Sequence, residues 1–409
     1  MPKDNREFFK KKKIWSKVKD DLLGCYLTPY FTKMLSSGRP ILYVDCFAGK
    51  GKFDDGNDGS PLTALKCLEN SISSSSNRNR PPVKMKFIEL NHAADLRANL
   101  AGAPTDLWDV VEGKFEDKII SLLKGASNNP GQLNVFLYID PYGVKVLNTP
   151  LFDELPNMFG SVELLINFNS FGFIREACRV MKIAIREDES EIFDGIEEYD
   201  DSVSDSIEEL NAVAGDDQWQ SIISNYQQQG KINCYEAEQE FSRQYKERLR
   251  QSYKYVLDMP IRLKPGQHPK YRMVHATNHP DGCILMADNV AKRTELVIRI
   301  QSGGQLGLWQ QTADNVIVSE ELLMGKVREL LESTTDLIRL NKFLADFYNR
   351  YGVLCELSRL SSGPGSILKT LEKNGSIEVK RKPDVSPTGK PTTFWQEKKD
   401  HTISLRKRS

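Results

Sequence analysis

The stretch Ile41-Leu42-Tyr43-Val44-Asp45-Cys46-Phe47-Ala48-Gly49-Lys50-Gly51-Lys52-Phe53 decides the fold. Four apolar residues in a row, too few for a helix, predict a strand buried on both faces. The strand runs straight into an acid and then Gly-x-Gly. Glycine is needed where backbone turns sharply or lies against a ligand; an ordinary strand-to-loop turn is the plainer alternative. The third glycine and immediate helix of a pyrophosphate-binding fingerprint are missing. Lys52-Phe53-Asp54-Asp55-Gly56 stands in their place, and its two acids would repel a diphosphate. A nucleoside cofactor with a cationic sulfonium and an amino-acid tail suits acidic surroundings better. That points to S-adenosylmethionine, with Asp45, Phe47, Gly49 and Gly51 as candidate contacts.

Outward from this turn, strands and helices alternate. Upstream, Ile14, Trp15, Val18, Leu22, Leu23, Tyr26 and Phe31 recur at helical spacing within Lys10 to Met34. Downstream come a helix from Pro61 to Leu68, a polar loop from Ser71 to Pro82, a strand from Met85 to Leu90 and a helix from Ala93 to Leu100. A short strand at Val110-Val111, a helix from Phe115 to Leu123 and a strand from Val135 to Ile139 follow. A helix from Thr149 to Met158 then leads to a strand from Glu163 to Phe168. The helix Glu236 to Ser252 returns the chain to two β-like runs, Tyr253 to Ile261 and Tyr271 to Thr277, expected to join the sheet as a hairpin. This alternation predicts an α/β fold, a doubly wound, Rossmann-like parallel sheet over residues 1–300.

In such sheets ligands bind outside the carboxyl ends of the strands, so the residues there are candidates. Glu89 ends the second strand and can accept both hydroxyls of an adenosine ribose, or simply sit exposed. Glu116, in Phe115-Glu116-Asp117, is placed to bind an adenine amino group, though acids are favoured at any helix N-terminus. Asp140-Pro141-Tyr142-Gly143 ends the fourth strand. A carboxylate or carbonyl there, from Asp140 or Pro141, can hold an exocyclic amine while Tyr142 stacks on its base; the same residues also suit a plain turn. Asn167 can add an amide toward a substrate. His275 and His279 lie four apart, but on a strand and the turn after it, so a structural role is expected and no metal site.

Beyond Gln301 the character changes, and residues 301–409 read as a second domain. Helices are expected at Val316–Leu331, Asp336–Tyr351 and Ser366–Lys373, then strands at Ser376–Lys380 and Thr392–Gln396. Helices followed by a two-stranded wing describe a winged-helix-like module. From Lys369 onward, eleven Lys/Arg face five Asp/Glu, so Lys380 and Arg381 in the wing, together with the Lys10–Lys19 segment, are candidate phosphate contacts. Residues 187–217 hold fourteen acids and no Lys or Arg, a solvated insertion or an acidic docking face. The seven cysteines are scattered and never spaced Cys-x-x-Cys, which excludes a disulfide frame and suits reduced thiols. With no apolar run of membrane-spanning length and no apolar signal core after basic Met1–Lys13, a cytoplasmic protein is expected.

At these residues the chain resembles the three-Cys-motif partner family, bacterial proteins usually classed as methyltransferase-like. The resemblance is carried by Tyr43 to Gly51, Gly59-Ser60-Pro61-Leu62-Thr63-Ala64-Leu65, Phe87 to Leu90, Ile139 to Gly143 and Leu164 to Phe168. Tyr253 to Leu257, Ala276 to Gly282 and the run Leu368 to Val379 extend it. It implies a class I methyltransferase sheet with a winged-helix tail, and a neighbouring radical-SAM-like protein with clustered cysteines as a partner. The fourth-strand motif is similar to the Asp-Pro-Pro-Tyr of nucleic-acid amino methyltransferases, with one proline missing, so the aromatic moves up one place. The resulting expectation is S-adenosylmethionine-dependent amino methylation of a base in DNA or RNA. The alternatives are a non-catalytic accessory partner that binds a nucleotide cofactor and docks another protein or DNA, and a DNA-binding regulator using the winged helix.

Overall fold

A computed structural model of the chain describes residues 9–10, 12, 14–75, 80–141, 143–144, 146–186, 207–228, 230–261, 269, 271–301, 318–334, 336–398 and 400–408. Tyr142 and most of the acidic run, 187–206, lie outside the described residues. Two compact units divide the chain, Met1–Asn278 and His279–Ser409.

The first unit opens with α1 (Ile14–Ser37) and β1 (Ile41–Asp45), then α2 (Ser60–Ser74), β2 (Val83–Glu89), α3 (Ala93–Leu100), β3 (Trp108–Glu112) and α4 (Phe115–Lys124). Next come β4 (Asn134–Ile139), α5 (Thr149–Met158), β5 (Ser161–Phe168), α6 (Ser170–Met181) and β6 (Ala184–Ile185). After α7 (Ile207–Ala214), α8 (Trp219–Asn225), β7 (Gln227–Gln228) and β8 (Lys231–Ile232), α9 (Cys234–Leu249) leads to β9 (Tyr255–Ile261) and β10 (Tyr271–Thr277). The unit is mixed α/β, built on a seven-stranded sheet in the order β3-β2-β1-β4-β5-β10-β9. Strands β1 to β5 are parallel and β10 runs antiparallel to both neighbours, an arrangement compatible with a Rossmann-like fold. The expected final hairpin is present, with its second strand innermost.

Alternation along β1 and β4 builds a different core on each face. Leu42, Val44, Val135, Leu137 and Ile139 join one large hydrophobic cluster. On the other face Tyr43 and Phe136 stack at 5.8 Å, and α1 covers them with Tyr26, 5.8 Å from Phe136, and Phe31, 6.2 Å from Tyr43. The expected polar loop at Ser71 is instead the last turn of α2. Ser71 is buried because its hydroxyl donates to the carbonyls of Thr28 and Cys67 at 3.0 and 2.8 Å, which removes the cost of hiding it.

The second unit holds α10 (Pro280–Gln301), α11 (Glu320–Glu332), β11 (Ile338–Arg339), α12 (Leu340–Tyr351), α13 (Ile367–Lys373), β12 (Ile377–Lys382) and β13 (Thr402–Lys407). Its three short strands pair antiparallel in the order β11-β13-β12. Helix α10 packs on α12, so the boundary falls after Asn278 and not near Gln301. The partner of β12 is Thr402–Lys407, not the expected Thr392–Gln396. Ile403 and Leu405 alternate inward and are fully buried, whereas Phe394 and Trp395 are adjacent and would face opposite sides of a strand. Trp395 instead lies under the Arg381 guanidinium at 5.3 Å. Among the described residues, no helix is long and apolar enough to cross a membrane.

Candidate functional site

Pleating decides which strand-end residues can meet. Register pairs Asp45 with Tyr138 across β1 and β4, and Tyr138 with Leu165 across β4 and β5. Residues two apart share a face, so Asp45, Asp140 and Asn167 fall on the side that α1 covers. The helix preceding the sheet therefore supplies the opposite wall. Ser16, Lys19 and Asp20 line one pocket with Phe47, Gly49, Gly51, Ser60, Asp140, Pro141, Asn167, Asn169 and Tyr271. This pocket lies where strand order reverses between β1 and β4, the switch point at which open α/β sheets bind ligands.

The glycine turn forms one wall. Gly49 and Gly51 adopt left-handed φ of 62° and 77°, and a Cβ at Gly51 would sit 2.7 Å from the Leu96 methyl. Glu89 braces the turn. One oxygen accepts from the Gly49 N–H at 2.8 Å, and the other accepts from the N–H groups of Asn91 and His92 at 2.9 Å each. Three of the roughly four acceptor positions of a carboxylate are thereby used.

Asp45 is fully buried. Its Oδ1 accepts from the Phe47 N–H at 3.3 Å, and its Oδ2 lacks a hydrogen bond of normal geometry. Burial pushes its carboxyl up from 3.8 to about 7; the Ser60 hydroxyl and the Phe47 N–H pull against this, and the charges of Asp140 and Asp20 add to it. Asp20 behaves alike: burial lifts it to about 6 against the pull of Lys12 and Lys19, with Lys12 Nζ 2.6 Å away.

Asp140 is held from three sides. Lys19 Nζ donates to both its oxygens at 2.8 and 2.7 Å, Asn167 Nδ2 donates to Oδ1 at 2.7 Å, and the Tyr138 hydroxyl donates to Oδ2 at 3.3 Å. Asn167 is 4% exposed, and its own Oδ1 has no hydrogen-bond partner.

Phe9 and Lys12 bring an N-terminal strap up to the pocket and its glycine turn. Phe9, a lining residue, packs 5.9 Å from Phe53 and 5.1 Å from His92, and its carbonyl accepts from the Asp54 N–H at 2.8 Å. Lys12 donates its N–H to Asp55 at 2.9 Å and its ammonium to the Asp58 carbonyl at 2.7 Å. The strap is thus pinned to the acids that follow the glycine turn. About 110 Å³ of open space remains beneath it, below the roughly 300–1,000 Å³ of ordinary ligand pockets.

Of the candidates read from sequence, Phe47, Gly49, Gly51, Asp140, Pro141 and Asn167 line this pocket, while Asp45 and Glu89 support its glycine wall. Glu116 is exposed on the first turn of α4 and is not a lining residue, although the ring of Phe115 beside it packs on Phe47 at 5.1 Å. Tyr142 lies outside the described residues. Lys380 and Arg381 belong to the second unit. Lys380 is exposed, 3.4 Å from Glu378, whereas Arg381 is half-buried and clamps Glu372 through two bonds of 2.6 and 2.7 Å. Lys19, expected among surface phosphate contacts, is a buried member of the pocket. His275 is buried with Nε2 3.1 Å from Glu163, the structural placement expected of it.

Sequence reading missed Ser16, Asp20, Ser60 and Tyr271, and it put Lys19 at the surface and not in the pocket. One signal was present: Ser16, Lys19 and Asp20 continue the helical stripe of Leu23, Tyr26 and Tyr30, and charges on a buried stripe need an internal partner. Among the described residues, no group of three or more His, Cys, Asp or Glu side chains is arranged to hold a metal ion. No family model matches the chain, and no curated protein matches it.

Proposed function

We propose that the first unit binds S-adenosylmethionine and transfers its methyl group to an amino group of a nucleic-acid base. The observation that carries this reading is a pair of buried acceptors without a hydrogen bond of normal geometry, Asp45 Oδ2 and Asn167 Oδ1, at the switch point of the sheet. Such atoms ask for N–H donors or a cation. The residues fit the cofactor: Gly49 and Gly51 let its amino-acid tail lie against backbone, Asp45 answers its ammonium, and the remaining acceptor position of Glu89 serves a ribose hydroxyl. A cation placed beside Asp45 favours the ionised carboxylate. When bound, the cofactor supplies an electrophilic methyl group. Asp140, Pro141 and Asn167 then shape the acceptor side, where in-line displacement needs alignment and charge complementarity more than a strong base. Entry requires the Phe9–Lys12 strap to lift, given the small space beneath it.

The second unit, with four α-helices and a three-stranded antiparallel sheet among its described residues and an excess of basic residues, is read as a winged-helix-like module that contacts nucleic-acid phosphates. One observation favours a second reading, an accessory nucleotide-binding protein that docks a radical-SAM-like partner or DNA: Asp140 is already saturated by Lys19, Asn167 and Tyr138. Transfer of tritiated methyl groups to mixed genomic DNA and total RNA separates the two. Label incorporated by wild type and lost in Asp140→Ala supports catalysis. Cofactor binding with no transfer to any polymer supports the accessory reading.

A further inference from the structure

Asp140 lines the pocket beside Pro141 and Asn167, yet no position on its carboxylate is open. Lys19, Asn167 and Tyr138 fill the roughly four acceptor sites of its carboxylate. Lys19 is 9% exposed, and its ammonium faces the Tyr271 ring at 5.9 Å. It reaches Asp140 from α1, 121 residues earlier in the chain, so the pair joins opposite walls of the pocket. A second cation brought here would meet the Lys19 charge where screening is weak. An ammonium has three N–H donors, and the two contacts to Asp140 leave one for a ligand. Beside it, Asn167 offers the opposite chemistry, a buried Oδ1 that accepts and has no donor.

We propose that Lys19 is the specificity-determining residue of the acceptor side. Together with Asn167 it selects a neutral edge that presents an amino N–H next to a ring lone pair, as adenine and cytosine do. Aliphatic amines, which arrive as cations, are excluded because Lys19 already occupies Asp140. This inference rests on the methyltransferase reading, in which the transferred group emerges toward β4 and β5.

Two cofactor analogues test it without a known substrate. S-adenosylhomocysteine carries nothing at the transfer position, whereas sinefungin carries a cationic amine there. Calorimetric affinities of both are compared in wild type, Lys19→Met and Lys19→Arg. Wild type and Lys19→Arg should bind sinefungin no tighter than S-adenosylhomocysteine. Lys19→Met should shift the ratio toward sinefungin by about tenfold, the scale of one charge-assisted bond. If Lys19→Met does not fold, Asp140→Asn should move the ratio about tenfold the other way. Sinefungin already favoured about tenfold in wild type, or a ratio that neither substitution moves while S-adenosylhomocysteine still binds, overturns the role of Lys19 alone. Binding of neither analogue to folded wild type overturns the cofactor reading itself.

Discussion

Replacing Asp45 by Asn tests whether the base of the pocket holds a carboxyl under strain from burial. The side chain keeps its shape and can still accept from the Phe47 N–H, but it no longer ionises. In wild type, burial lifts the carboxyl from 3.8 to about 7. The folded state therefore binds this proton more tightly than the unfolded state, so its stabilising effect is complete below pH 3.8 and is lost as pH rises toward 7. Three powers of ten in proton affinity correspond to about 4 kcal/mol, of which about 3 kcal/mol falls between pH 5 and pH 8. Asp20 titrates in the same range, so the informative quantity is wild type minus variant. Urea unfolding of the first unit at pH 5 and pH 8 supplies it. The difference should swing by about 3 kcal/mol in favour of Asp45→Asn at the higher pH. Parallel pH dependences in the two proteins would refute the assignment of Asp45 as a buried, proton-holding acid.

Three further outcomes follow from the same geometry. Gly51→Ala forces a left-handed φ on a residue with a Cβ and drives that atom toward Leu96, so denaturant melts should show a loss of about 2–4 kcal/mol; adding Leu96→Ala should recover part of it. Arg272 binds Glu238 at 2.7 and 3.0 Å and Asp258 at 2.7 Å, so Arg272→Ala strands fully buried Glu238 and should cost about 3–5 kcal/mol in the same assay. An unchanged midpoint would mean that this network is not holding α9 to the hairpin. Lys12→Ala unpins the strap, and stopped-flow should show faster S-adenosylhomocysteine association together with greater hydrogen exchange over residues 9–20; equal rates would place the entry route elsewhere.

The alternating architecture was legible because buried parallel strands such as Ile41–Asp45 and Asn134–Ile139 are continuous apolar runs set between helices; the helices Ala93–Leu100 and Thr149–Met158 and the antiparallel strand Tyr271–Thr277 were bounded as the structure has them. The glycine wall was legible for the same reason, since Asp45 and Gly49 sit at the end of such a run. What sequence order could not give was the opposite wall. Lys19 meets Asp140 only because pleating turns Asp140 to the face covered by α1, and that follows from register and layer, not from local pattern. Arg381 misled for a related reason. A basic run looks like a phosphate surface until Glu372 and Trp395, nine residues before and fourteen after, fold onto the guanidinium. The β13 strand was missed because two adjacent aromatics, Phe394 and Trp395, outweighed the more modest alternation of Ile403 and Leu405.

The most direct measurement is a calorimetric titration of S-adenosylmethionine into wild type and into Gly49→Trp, with folding of both checked by circular dichroism. Saturable binding at one site per chain, abolished by the indole in the glycine wall, is the expected result. Folded wild type that takes up no cofactor, or a Gly49→Trp variant that binds it as well as wild type does, would contradict the placement of the cofactor in this pocket.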